Sequence, residues 1–412
     1  MSPPEPTAAQ WGVVRRRAGP SAGRSARPSA GRSASPDPSA DRSADPSAGR
    51  SANPDPSTDP DRSPNPSPAP SHAPPRPALR HGDHVVIAAD LPLADPRLRE
   101  ALRAPTLNPL IELGPAAWRA VQDAAAQAPP DARVPLSETT PVLPIQIPDY
   151  VDFYASLEHA TNFGRIFRPG APAVAGNWRH MPVAYHGRAS TVVVSDTAIR
   201  RPCGQVRLGS LAPTAALDLE CELGYVCGPA ARGPIAIDRA EQHIFGVVLV
   251  NDWSARDVQR HEYQPLGPFL GKSFATSISA WITPLDALAH ARVAPPPQDP
   301  PPPPYLTASD PWLLDVDLEI ELNGEIVSRP NAQSLYWTPA QMLAHLTVNG
   351  ACLSAGDLFA TGTISGAAPS TQGSVAELYG GERWLADGDE VILRGRAGTI
   401  ALDPVRGRVT AA

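Results

Sequence analysis

Between Val14 and Leu79 the chain carries no Val, Ile, Leu, Met, Phe, Tyr or Trp. A segment without large apolar side chains has nothing to bury, so it cannot offset the entropy lost on ordering. Proline is dense here as well, with 18 of the 52 prolines in the first 80 residues. A degenerate Pro-Ser-Ala-Gly-Arg-Ser-Ala unit recurs between residues 21 and 58, too short and too polar to stack as a solenoid. Residues 1–80 therefore read as a disordered Pro/Ser/Ala/Arg extension without function of its own. Any fold must be built from the residues C-terminal to it.

These are numerous enough, since the chain has 412 residues. His84 to Ala88 is a short strand candidate. Further β-branched runs, bounded by Gly, Pro and Asp, cover Thr191 to Val194, Leu217 to Val226, Phe245 to Val250, Trp281 to Thr283, Leu313 to Leu322 and Glu390 to Leu393. Helices are expected over Asn108 to Ala126, Ser156 to Arg165, Ser254 to Arg260 and Thr338 to Thr347. The pattern is that of a β-rich α+β protein, a sandwich or roll. We expect a small N-terminal domain with its connector over 81–143 and the main domain over 144–412.

The net charge of −7, without a basic block in this part, argues against a nucleic-acid partner. The four cysteines, Cys203, Cys221, Cys227 and Cys352, match no zinc spacing and fit a reducing compartment. No apolar run approaches the roughly eighteen residues needed to span a bilayer. Trp11-Gly12-Val13-Val14 is followed at once by three arginines, so no signal-peptide core is present. A cytoplasmic protein without membrane partner is expected.

Leu217-Asp218-Leu219-Glu220-Cys221-Glu222-Leu223 carries the chemistry. As a strand it places Asp218, Glu220 and Glu222 on one face, where like charges repel. A hard divalent cation would turn that repulsion into attraction. Taken alone, a solvated outer strand face is the plainer reading. Asp152 and His159, seven residues apart, would share a helix face if the segment were helical throughout; the alternative has Asp152 just before the helix, and His159 is suited to take a proton from water. A buried strand feeding a helix would bring Asp252 out at the strand end, and Asp252, Arg256 and Gln259 also follow the spacing of one helical face, either a cation and anion site or an ordinary Asp252–Arg256 salt bridge. Gly267 to Ser273 fails as a phosphate-binding loop, having three residues between its glycines where four are needed. Lys272 remains a candidate for stabilising negative charge. Gly362 to Gly366 could present Thr363 and backbone N–H groups to an anion.

Several runs together resemble the fumarylacetoacetate hydrolase family from about Ala104 onward: Asp149-Tyr150-Val151-Asp152-Phe153-Tyr154, His159-Ala160-Thr161-Asn162, Tyr185-His186-Gly187-Arg188-Ala189-Ser190, Leu217 to Glu222, Asn251 to Asp257, Tyr263 to Phe274 and Ser354 to Gly366. The resemblance implies a homodimer whose β-sandwich or roll catalytic domain comes after a small SH3-like N-terminal domain. It implies hydrolysis of the carbon–carbon bond of 4-fumarylacetoacetate to fumarate and acetoacetate, at the end of tyrosine and phenylalanine breakdown. By position, Asp152, Glu220, Glu222 and Asp252 match ligands of a divalent metal, Mg²⁺ or Ca²⁺. Lys272 and Thr276 match the surroundings of a second ion. His159 matches the general base, with Glu377 as its orienting carboxylate and Arg256 and Lys272 beside the developing charge. Tyr154, Arg168, Tyr185, Gln259, Tyr263 and Thr363 match substrate contacts.

Two departures stand out. Low complexity through residue 80 would truncate the N-terminal domain and leave a strand edge unpaired. The tail from Ala397 lacks the family's glycine- and aromatic-rich ending, leaving the last strand unassigned. The same fold serves acylpyruvate hydrolases and keto-acid decarboxylases, generally shorter and not expected to combine Tyr154, Arg168 and Tyr185. An inactive dimeric scaffold is the non-enzymatic alternative.

Overall fold

The computed structural model describes residues 8–17 and 74–412. Contacts divide the chain into two units, Met1–Arg15 with Pro74–Ala412, and Arg16–Ala73; the architecture is that of the first.

Strands without polar alternation must be covered on both faces. Ile244–Asp252 and Cys221–Cys227 are buried at every position and pair antiparallel at the centre of a 13-stranded mixed sheet. Beyond Cys221–Cys227 come Leu358–Ala360, then Tyr150–Phe153 parallel to it, then Ala184–His186. Side chains alternate across the central strand. Val247 and Leu249 pack in one core cluster with Leu318 and Leu393 of a five-stranded sheet. Phe245, Val248 and Val250 join Leu110, Trp118 and Val121 from two leading helices. The β-rich α+β class is therefore as expected. Among the described residues no helix is long and apolar enough to cross a membrane.

The boundary at residue 80 needs correction. Gln10–Arg16 is a strand, antiparallel to Arg76–His81, with Trp11 opposite Leu79. It also pairs with Trp281–Pro284, so the leading strands and the central sheet form one continuous ladder. Arg76–His81 thus has partners on both sides, and the unpaired edge expected there is absent. One short apolar run gives no local sign of pairing across more than sixty residues of sequence. The centre of the low-complexity stretch, 18–73, lies outside the described residues.

Three further expectations change. The helix over 108–126 is two helices, Asn108–Glu112 and Pro115–Ala126, broken at Gly114, whose φ of 82° is left-handed. The run Leu313 to Leu322 is two strands, Leu313–Leu314 and Asp317–Leu322. The unassigned tail forms the strand Ile400–Thr410, with Leu402, Val405 and Val409 buried at its inward positions.

Trp11 is fully buried, with its ring centre 5.7 Å from that of Phe245. Trp11→Ala should therefore lower unfolding stability by about 3–5 kcal/mol. The check is the urea midpoint at unchanged slope; a shift under about 1 kcal/mol would mean the first strand adds nothing.

Candidate active site

Sheet register gathers the acidic groups. Asp152 lies on Tyr150–Phe153, opposite both Ala360 and Tyr185 on its two neighbours. Glu222 lies on Cys221–Cys227 opposite Val250, and Asp252 ends that partner strand opposite Thr276. Glu220 sits just before Cys221–Cys227. Asp152, Glu220, Glu222 and Asp252 are all buried, and each offers a carboxylate oxygen within 4.8 Å of the others.

Four carboxylates this close repel strongly unless matched. Lys272 Nζ contacts both Glu220 and Asp252. Arg256 Nη2 donates to Glu220 Oε1 at 2.7 Å. Tyr185 Oη lies 2.5 Å from Asp252 Oδ2 and 3.1 Å from Asp152 Oδ2, and Thr276 Oγ1 donates to Asp252 Oδ1 at 2.9 Å. Gly362, at a left-handed φ of 74°, turns its N–H onto Asp152 Oδ1 at 3.1 Å. Only Glu222 is left over: among the described residues, neither of its buried oxygens has a hydrogen-bond partner.

These surroundings split the cluster. Burial would raise Glu220, but Arg256, Lys272 and His159 outweigh it and hold this carboxylate well below its ordinary range. Burial, followed by Asp252 for Asp152 and by Asp152 and Glu220 for Glu222, pushes those two well above theirs. Burial would lower Lys272, yet Asp252 and Glu220 keep it protonated. An all-oxygen donor set with one orphaned carboxylate fits a divalent metal of the hard class.

His159 lies in the first turn of Leu157–Phe167, a helix started by Ser156, whose side chain accepts the His159 N–H. Its Nδ1 meets Glu377 Oε2 at 2.7 Å, and its Nε2 faces Glu220 Oε1 at 3.6 Å. Glu377 also accepts from Asn162 at 3.0 Å, Ser365 at 3.0 Å and Ser374 at 2.8 Å. Burial would raise Glu377, but His159 and these donors prevail and its pKa is lowered. With Nδ1 on Glu377, Nε2 is the ring nitrogen that faces the acidic cluster.

A cavity of about 300 Å³ adjoins this pair, lined by Tyr154, Phe163, Phe167, Arg168, Arg256, Gln259, Arg260 and Tyr263. Gln259 Oε1 accepts from Arg256 Nη1 at 3.1 Å. Thr363 is buried with its hydroxyl unpartnered among the described residues.

Three of the sequence spacings fold differently here. The run Leu217 to Val226 breaks after Leu217–Asp218, and Glu220 pairs instead with Ser374. Asp218 therefore leaves the acidic face and binds Arg256 Nε at 2.9 Å, with the Val375 N–H on its other oxygen at 2.9 Å. Asp252 ends a strand, and the helix begins only at Arg256. Hence the Asp252–Arg256 bridge does not form; Asp252 takes Lys272 and Arg256 takes Asp218 and Glu220. Likewise Asp152 is on a strand and shares no helix face with His159.

Residues 150–405 match the family model described as fumarylacetoacetate (FAA) hydrolase C-terminal. Fumarylacetoacetase of Rattus norvegicus is 46% identical over 329 residues, spanning 70% of this chain and 78% of that protein. The chain belongs to the fumarylacetoacetate hydrolase family. Fumarylacetoacetase of Homo sapiens is 44% identical over 336 residues, 72% of this chain and 80% of that one. A solved fumarylacetoacetate hydrolase from Exiguobacterium antarcticum shares the fold, with a TM-score of 0.55 at 19% identity over 82% of this chain and 96% of that one.

This family member holds its histidine with groups that spacing alone did not single out. Ser374 was readable, since Ser374-Val375-Ala376-Glu377 is the pattern of a helix start in which Ser and Glu bond reciprocally. Asn162 was readable from its i+3 position after His159. Ser365 and Phe163 gave no signal of this kind.

Proposed function

We propose that this chain is a metal-dependent fumarylacetoacetase, hydrolysing the carbon–carbon bond of 4-fumarylacetoacetate to fumarate and acetoacetate, the last step of tyrosine and phenylalanine degradation. The carrying observation is the His159–Glu377 pair aimed at four buried carboxylates beside an arginine-lined cavity. Asp152, Glu220, Glu222 and Asp252 would hold Mg²⁺ or Ca²⁺, which when bound would supply Lewis acidity to the carbonyl under attack.

His159 Nε2 takes a proton from water as its oxygen attacks the carbonyl of the acyl arm. Glu377 stabilises the imidazolium that forms. Arg256, Gln259 and Lys272 offer N–H donors to the oxyanion. When the carbon–carbon bond breaks, its electron pair stays on the acetoacetate carbon as an enolate. The imidazolium returns the proton to that carbon, leaving fumarate and acetoacetate. Tyr154, Arg168, Tyr185, Tyr263 and Thr363 position the substrate, and Thr276 supports Asp252.

We further propose a cytoplasmic homodimer. Its four cysteines are free thiols. Leu208, Leu211, Leu266 and Phe269 expose 59–97% of their surface, the kind of apolar area a second copy would cover.

The test is the ultraviolet absorbance of fumarylacetoacetate. It should decay with the protein, persist after chelation, and decay again on adding Mg²⁺ or Ca²⁺. Undiminished turnover in the metal-stripped protein would remove the metal from this mechanism.

A further inference from the structure

Asp218 takes no part in the reaction described above, yet it is fully buried between two groups that do. Its strand, Leu217–Asp218, pairs with Ser254–Ala255, directly ahead of the helix that starts at Arg256. This pairing brings the carboxylate to the guanidinium. Asp218 Oδ2 accepts from Arg256 Nε at 2.9 Å and from Nη2 at 2.8 Å. Nη1 is left to Gln259 Oε1, at 3.1 Å, on the wall of the cavity.

The other oxygen serves a different element. Oδ1 accepts the backbone N–H of Val375 at 2.9 Å and of Ala376 at 3.3 Å, where the helix Val375–Leu378 begins. Ser374 Oγ accepts the N–H of Glu377 at 3.3 Å in the same turn. The N–H groups that a helix start leaves without partners are thus taken by Asp218 and Ser374, and the turn they fix carries Glu377 to His159. The Leu219 N–H also reaches Oδ1, at 2.9 Å. All of these groups donate, so the position demands an acceptor at both oxygens, which among side chains of this size only a carboxylate supplies.

We propose that Asp218 is a positioning residue that aims the Arg256 guanidinium and anchors the turn bearing Glu377, so that one side chain sets both the oxyanion donor and the partner of the base. This rests on the reading of the site as a hydrolase with His159 as base. Asparagine has the same shape but a single oxygen. It satisfies one side and turns an NH₂ group against donors on the other, which leaves Arg256 with Glu220 as its carboxylate partner or releases the 375–378 turn.

The test compares wild type with Asp218→Asn, with rates expressed per folded protein and well below the melting temperature of either. On fumarylacetoacetate, kcat should fall about 10- to 100-fold while KM changes less than about threefold, because the geometry lost matters in the transition state. Crystal structures of both proteins provide a readout independent of turnover: Arg256 or Glu377 should be displaced in the variant, with the central sheet unmoved. Val375→Pro is the second variant, since proline is tolerated at the first helical position and removes one N–H given to Asp218 without touching its carboxylate. It should displace Glu377 but not Arg256 and lower kcat by a smaller factor, so the proposal stays testable if Asp218→Asn does not fold. Wild-type kcat in either variant would overturn the assignment, as would a lowered kcat with Arg256 and Glu377 both in place. If the wild-type protein hydrolyses no fumarylacetoacetate, displacement of either group still upholds the positioning role and only the proposed reaction fails.

Discussion

His159→Ala is expected to slow fumarylacetoacetate hydrolysis by roughly 10²–10⁴-fold, the usual worth of a positioned general base. The imidazole is almost wholly buried, so its loss must be separated from collapse of the pocket. Metal-dependent thermal stabilisation is that control, because none of the four carboxylates is replaced. Glu377→Gln should give a smaller loss in turnover. The amide keeps the shape but cannot stabilise an imidazolium, and it disturbs the bonds from Asn162, Ser365 and Ser374. The lowered pKa of Glu377 sets a sign in pH. Its contribution to stability is present above the ordinary glutamate value of 4.5 and is lost as pH falls through the lower folded-state value. A His159→Ala protein that binds metal and turns over at the wild-type rate would exclude His159 as the base.

Glu222→Gln should move activity and metal-free stability in opposite directions. Glu222 is fully buried with both oxygens unpartnered among the described residues, so without a cation its ionised form is uncompensated and even its protonated form leaves polar atoms unmatched. Neutralising it should raise metal-free stability by about 1–3 kcal/mol. The same change removes a proposed ligand, so metal affinity should fall by at least about 10²-fold, with turnover following. Wild type should behave inversely, gaining about 4 kcal/mol at a metal concentration roughly 1,000 times its Kd. Burial and the neighbouring carboxylates raise Glu222 and Asp152, so protons compete with the metal and affinity should rise with pH. In the metal-free protein these raised groups favour folding on the acid side, an advantage lost as pH rises through their folded-state values. Melting temperatures of wild type and Glu222→Gln, with and without metal across pH, provide the measurement. Equal metal stabilisation of both proteins would show that Glu222 is not a ligand.

Much of the fold was readable because burial leaves a local trace. Continuous apolar runs such as Phe245 to Val250 can only be central strands, and the helix of His159 announces itself through Ser156 and its apolar spacing. Other features had no local trace. Trp11 to Val14 could be recognised as a strand only through its partners, Arg76–His81 and Trp281–Pro284. Asp218 follows the same alternation as Glu220 and Glu222, yet a backbone break at Leu219 sends it to Arg256.

The residue types alone determined that carboxylates suited to a hard cation and a histidine suited to proton transfer were available, since carboxylates, imidazole and guanidinium carry their chemistry wherever they lie. Tertiary structure alone decided which of them meet. Asp152 and Asp252 are a hundred residues apart yet share the Tyr185 hydroxyl, and Arg256 passes over nearby Asp252 for Asp218 and Glu220. Strand register sets those distances, and register is fixed by side chains throughout the core rather than by neighbours in sequence.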